Sequence, residues 1–157
     1  MPGVEGTPSE LAVDAERLFE KVSRAHVGGS SSLTYYEVEE ARYASLKESA
    51  KGISHGDIFL IPAVRSISFQ VQTVIHIFKL SVCPLTHATI RRQLQQPDLQ
   101  TRGIRSADAL HAASAIEFDA DILVSTDQAL LQLDGILVNI RGVRILCCDT
   151  DSALQFL

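Results

Sequence analysis

The chain has 157 residues, of which 46% are hydrophobic and 21% charged, with a formal net charge of −5 and three cysteines. That length buries the core of one domain, residues 1–157, and the negative charge excludes bulk attraction to a phosphate backbone. Cys147 and Cys148 are adjacent and Cys83 distant, which gives neither metal-ligand spacing nor an even disulfide framework and fits a reducing cytoplasm.

Thr7-Pro8-Ser9-Glu10 is a capping box with proline at the first helical position, and Leu11, Ala15, Leu18, Phe19 and Val22 mark one face of a helix to about Ala25. The glycine- and serine-rich segment from Val27 to Leu33 lies between two helices and is expected as a strand. Thr34-Tyr35-Tyr36-Glu37 reads as a second capping box, opening a helix that ends near Gly52. Residues 57–78 carry Phe59, Ala63, Ile67, Val71, Val74 and Phe78 at helical spacing, with Pro62 tolerated near the start and part of Val74–Val82 β-branched enough for a strand. Pro62, Arg65, Ser66, Ser68, Gln70, Gln72 and His76 interrupt the apolar stretch from Ile58 to Leu80, so no membrane span is expected, and no signal layout opens the chain. Pro84 to Leu94 reads as helix and Gln96-Pro97-Asp98 as a breaker.

The most informative stretch follows. Ser106 is a ready N-cap for an alanine-rich helix with Asp108 in its first turn. Ile122-Leu123-Val124 is a short apolar strand stopped by Ser125-Thr126-Asp127. A short helix from Gln128 to Leu133, a strand from Val143 to Cys147 and a terminal helical turn from Ser152 to Leu157 complete the chain. Helices alternating with short buried strands predict a parallel sheet covered on both faces.

Ligands of open parallel sheets bind beyond the carboxyl ends of the strands, and Glu37, Asp108 and Asp127 all fall there. Three carboxylates on one rim repel one another unless a cation neutralises them, and hard oxygen donors favour Mg²⁺ or Mn²⁺. Such an ion lowers the pKa of bound water and steadies attack on a phosphodiester, which makes these residues candidates for both metal binding and catalysis. Each has a plainer reading as well: Glu37 as a capping partner, Asp127 as the cap of the next helix, Asp108 as a dipole charge. Residues 1–50 hold nine acids against five bases, whereas 91–105 holds Arg91, Arg92, Arg102 and Arg105 against Asp98 alone, and Arg102 and Arg105 are candidate RNA contacts. His111 sits one turn after Asp108, where the core edge is the expected role. Asp149 and Asp151 fit an ordinary helix cap.

Three blocks together resemble the PIN-domain family, and within it the small VapC-like toxins: Ser32-Leu33-Thr34-Tyr35-Tyr36-Glu37, Ile104 to Ala113, and Ala120-Asp121-Ile122-Leu123-Val124-Ser125-Thr126-Asp127. The resemblance covers roughly residues 9–149, with 51–80 matched only by its helical character. It implies a three-layer α/β/α fold around a central parallel sheet, Mg²⁺- or Mn²⁺-dependent endoribonuclease chemistry, homodimerisation and a small antitoxin partner. Glu37, Asp108 and Asp127 match the family's acidic positions. Family members open with a central strand that ends in a further aspartate; Met1-Pro2-Gly3-Val4-Glu5-Gly6 is no such strand. The alternative expectation is therefore a catalytically impaired or inactive PIN-like module that binds RNA or a protein partner.

Overall fold

A computed structural model describes residues 8–104 and 106–157; the expected Thr7 cap, the opening residues Met1 to Gly6 and Arg105 lie outside them. The first helix, α1 (Pro8–Ala25), ends where its apolar face ends, with Leu18 buried. Strand β1 is only Gly29–Ser31, shorter than the expected Val27–Leu33. Crowding at its entrance favours glycine: a Cβ on Gly28 would stand 2.5 Å from Val22 Cγ1, and one on Gly29 would stand 2.6 Å from the Phe118 ring.

Helix α2 (Leu33–Ser49) begins one residue earlier than expected, and its capping box does not form. Ser32 holds the N-cap position, but its hydroxyl accepts instead from the Leu85 N–H at 2.9 Å. The Thr34 hydroxyl pairs with Ser30 at 2.8 Å, and Glu37 reaches away across the molecule. A hydroxyl four residues back and a histidine on another helix therefore take the two groups that the cap would have used.

Helix α3 (Gly56–Ile77) runs unbroken through Pro62, which lies inside the helix rather than near its start. The helical span Ile58–Ile77 is 20 residues long and apolar enough, by length and composition alone, to cross a membrane, and only 17% of that window is buried. On length and composition alone, the Ser and Gln residues within it do not take it below that measure.

Strand β2 (Ser81–Cys83) follows, then α4 (His87–Leu94), capped by reciprocal bonds between Thr86 and Thr89. Pro97 does not simply break the chain. It occupies the first turn of a short helix, α5 (Pro97–Thr101), where its missing N–H costs nothing. Helix α6 (Ser106–Glu117), strand β3 (Ile122–Val124) and helix α7 (Gln128–Leu131) match the expected elements closely. Strand β4 is Leu146–Cys148, and α8 is Thr150–Phe156. The expected Val143 start is displaced because Arg144 pairs antiparallel with Val138 and the Ile145 N–H donates to Leu137 at 2.8 Å.

The architecture is mixed α/β, with β1 paired parallel to β2 and β3 paired parallel to β4, as two separate two-stranded sheets. The single continuous sheet expected from the sequence is thus two pairs among the described residues. Helix α6 reaches both: Ser114 Oγ approaches Ser31 Oγ at 3.4 Å, while Ala112, Ala115 and Ile116 pack with Leu123 and Cys147. On the opposite side Leu18 and Val22 of α1 pack with Ile122, Val124 and Cys148.

Candidate functional site

The chain reverses direction at the carboxyl ends of β1 and β3, and the candidate acids sit at those reversals. After β3, the Asp127 N–H donates to Ser125 Oγ at 3.0 Å, and Asp127 Oδ1 accepts from the Ala129 N–H at 2.7 Å. Asp127 is therefore the N-cap of α7, as one of its two sequence readings held. After β1, α2 carries Glu37 just beyond its first turn, which itself holds no acid.

Asp108 and His111 are three residues apart on α6 and so share a face. His111 Nε2 lies 2.6 Å from Glu37 Oε2. A carboxylate only accepts, so the geometry requires the proton on Nε2. This bond joins α2 to α6 across 74 residues of sequence. It was missed as a function of His111 because nothing local to α6 reveals the partner; the one available signal was the one-turn spacing from Asp108.

No hydrogen bond is donated to the Asp108 side chain among the described residues. Burial pushes its carboxyl above the ordinary aspartate range, and the negative charges of Asp127 and Glu37 push in the same direction, opposed by His111. Asp108 thus lies within the fields of both other acids. Those two are already engaged, Glu37 by His111 and Asp127 by Ala129, and among the described residues no three His, Cys, Asp or Glu side chains stand grouped as metal ligands. The donor set suits a hard divalent cation in its chemistry, with Glu37 Oε1 the oxygen not bonded to His111.

Asp149 belongs elsewhere. It caps α8 through the Ser152 N–H at 2.8 Å, and bonds to Ser152 hold its carboxyl below the usual range. The arginines do not form one strip: Arg92 is drawn to Glu117 at 2.6 Å, at the far end of α6 from Asp108, and Arg91 to His87 at 3.0 Å. Arg102 is exposed at the C-cap of α5, and Arg105 lies outside the described residues. An open cleft of about 570 Å³ lined by Tyr35, Gln72, Ile75, His76, Lys79 and Leu80 contains none of the three acids. Burial raises the thiol of Cys147, to about 12, and that of Cys148, so neither is a ready nucleophile.

Comparison of the chain with protein-family models, with characterised proteins and with solved structures finds no match.

Proposed function

We propose that this protein is a metal-dependent endoribonuclease of PIN type, the cytoplasmic toxin of a toxin–antitoxin pair, built on a three-layer α/β/α plan. The observation that carries the reading is Asp108, which accepts no hydrogen bond among the described residues and lies within the fields of Asp127 and Glu37 at the ends of two parallel strands. Carboxylates left in that state favour a cation. Glu37, Asp108 and Asp127 would hold Mg²⁺ or Mn²⁺, and the bound ion supplies an activated water for phosphodiester hydrolysis. His111 keeps Glu37 at the rim by its 2.6 Å bond, Asp127 is fixed by capping α7, and Arg102 and Arg105 are the proposed phosphate contacts. The exposed apolar side of α3, with Ile58, Phe59, Ile61 and Phe69, offers surface for the homodimer or the antitoxin.

A second reading has its own observation. Glu37 and Asp127 each have a protein partner that a purely structural role explains, which favours a non-catalytic PIN-like module binding RNA or protein. Incubation of mixed single-stranded RNA with the protein in Mn²⁺ or in EDTA, beside Asp108→Asn, separates the two. Chelator-sensitive cleavage that the variant lacks supports the nuclease. Intact RNA with a demonstrably folded protein favours the binding module.

A further inference from the structure

The open cleft of about 570 Å³ is formed where the first turn of α2 meets the carboxyl-terminal end of α3 and the turn that follows it. Its lining is mixed: Tyr35, Ile75 and Leu80 are half-buried, whereas Gln72, His76 and Lys79 are exposed. Concavities of this size, with apolar walls and a few polar groups, are the usual form of small-ligand sites. Gln72 and His76 are four residues apart on α3 and share a face.

Lys79 is held at the cleft by the turn that ends α3. The Lys79 N–H donates to the His76 carbonyl at 3.3 Å and the Leu80 N–H to the Ile75 carbonyl at 2.9 Å. These paired bonds put Lys79 in the left-handed region, at φ 52°, where glycine is the usual residue because it has no Cβ to crowd the backbone. The chain places an ammonium there instead. The polar groups around the cleft are uncommitted: the side chains of Tyr35, Gln72, His76 and Lys79 make no hydrogen bond or ion pair among the described residues. No acid lines the cleft, since Glu37 is turned to His111 and Glu39 to Ser68. In a chain of net charge −5, a lysine and a histidine thus share a space with no carboxylate in it.

We propose that this cleft holds one nucleotide of a single-stranded RNA, with its phosphate at Lys79 and His76, its base against the Tyr35 ring and Gln72 at the base edge. The ammonium and a ring N–H are donors suited to a phosphate. The phenol ring and the apolar Ile75 and Leu80 suit a flat base, which stacks on aromatic side chains whatever its sequence. Inorganic phosphate would use only the first set of groups, and an acidic peptide has no flat face for the second. Tyr35 precedes Glu37 by two positions, about 3 Å along the axis of α2, on a different face, so one strand can pass from the acid rim to the cleft. The inference rests on the reading that the protein acts on RNA, but on none of the proposed metal ligands.

The test is fluorescence anisotropy of labelled hexauridylate with the full chain in EDTA, which keeps metal from the acid rim. Lys79→Gly removes the ammonium and suits the left-handed turn, Tyr35→Leu removes the ring, and Lys47→Gln removes an equal charge at the far end of α2; thermal melts verify that each is folded. The expected result is binding that Lys79→Gly and Tyr35→Leu each weaken at least about fivefold and Lys47→Gln leaves within about twofold. Unlabelled UMP should compete at least about fivefold better than uridine, which lacks the phosphate. Equal affinity of Lys79→Gly and Lys47→Gln, competition by tetraglutamate as effective as by UMP, or no binding by the folded wild type overturns the proposal. Binding in the expected pattern by a protein that leaves the RNA intact in Mn²⁺ supports the cleft and contradicts the ribonuclease reading alone.

Discussion

Leu99, Ile116, Leu133, Leu137 and Ile145 are almost completely buried in the half of the molecule that runs from α4 to β4, whereas α2 buries no residue at all. Helix α3 is richly apolar, yet among its described residues it buries only Leu60, Val64 and Ile67, while Ile58, Phe59, Ile61, Phe69, Val74 and Ile77 are exposed. The α2–α3 hairpin is held mainly by its own mutual packing. Apolar content therefore does not by itself make a core; it needs facing elements, and the carboxyl-terminal half supplies them around the alanine-rich face of α6.

Substitutions in the two halves are expected to differ in cost. Leu137→Ala removes a side chain that is 1% exposed and is expected to cost about 2–5 kcal/mol in urea denaturation. A loss of only a few tenths would mean that this half is not the stable core.

Asp149→Ala removes the α8 cap, at an expected cost of about 1 kcal/mol at neutral pH. Asp149 is depressed in the folded state, so its contribution is present above the ordinary aspartate pKa and is lost as pH falls through the folded value. Wild type and variant should therefore converge in acid, as followed by thermal melts across pH.

Asp108 has the opposite sign. Its folded pKa is raised, so the native state binds more protons than the unfolded chain between the ordinary and the raised values, and stability rises as pH falls through that window. Asp108→Asn should raise the melting temperature slightly at neutral pH and flatten this dependence, while a lowered melting temperature would deny the crowding of charge at the rim.

The smallest effect on stability is expected on α3. Phe59→Ser and Phe69→Ser, both at positions 71% exposed, should each change stability by no more than about 0.5 kcal/mol. Sedimentation of the same variants reports whether that face associates in solution, and a cost like that of Leu137→Ala would mean that the face is covered.

Most helices and the β3 strand were legible because their signals are local. Helix α6 carries its own periodicity, Asp127 its own cap, and Ile122-Leu123-Val124 its own boundaries. Legibility failed where other partners displace the ones that a local pattern names. Thr34 and Glu37 match a capping box in sequence, but Ser30 and His111 take them instead. The start of β4 moved because residues 138 and 144 pair as a bridge, which no strand pattern within 143–147 encodes. Of the site, the rim position of Glu37, Asp108 and Asp127 followed from strand-end reasoning; the His111 bond did not, since it spans 74 residues.

The proposed function requires Glu37, Asp108 and Asp127 to act together as one cation site. Titration of Mn²⁺ into the folded protein by calorimetry, beside Glu37→Gln, Asp108→Asn and Asp127→Asn, tests it most directly. The expected result is binding that each of the three substitutions weakens at least about tenfold, with the α8 cap variant Asp149→Asn unchanged. Equal Mn²⁺ affinity in wild type and in all three variants, or no binding by the folded wild type, would contradict it.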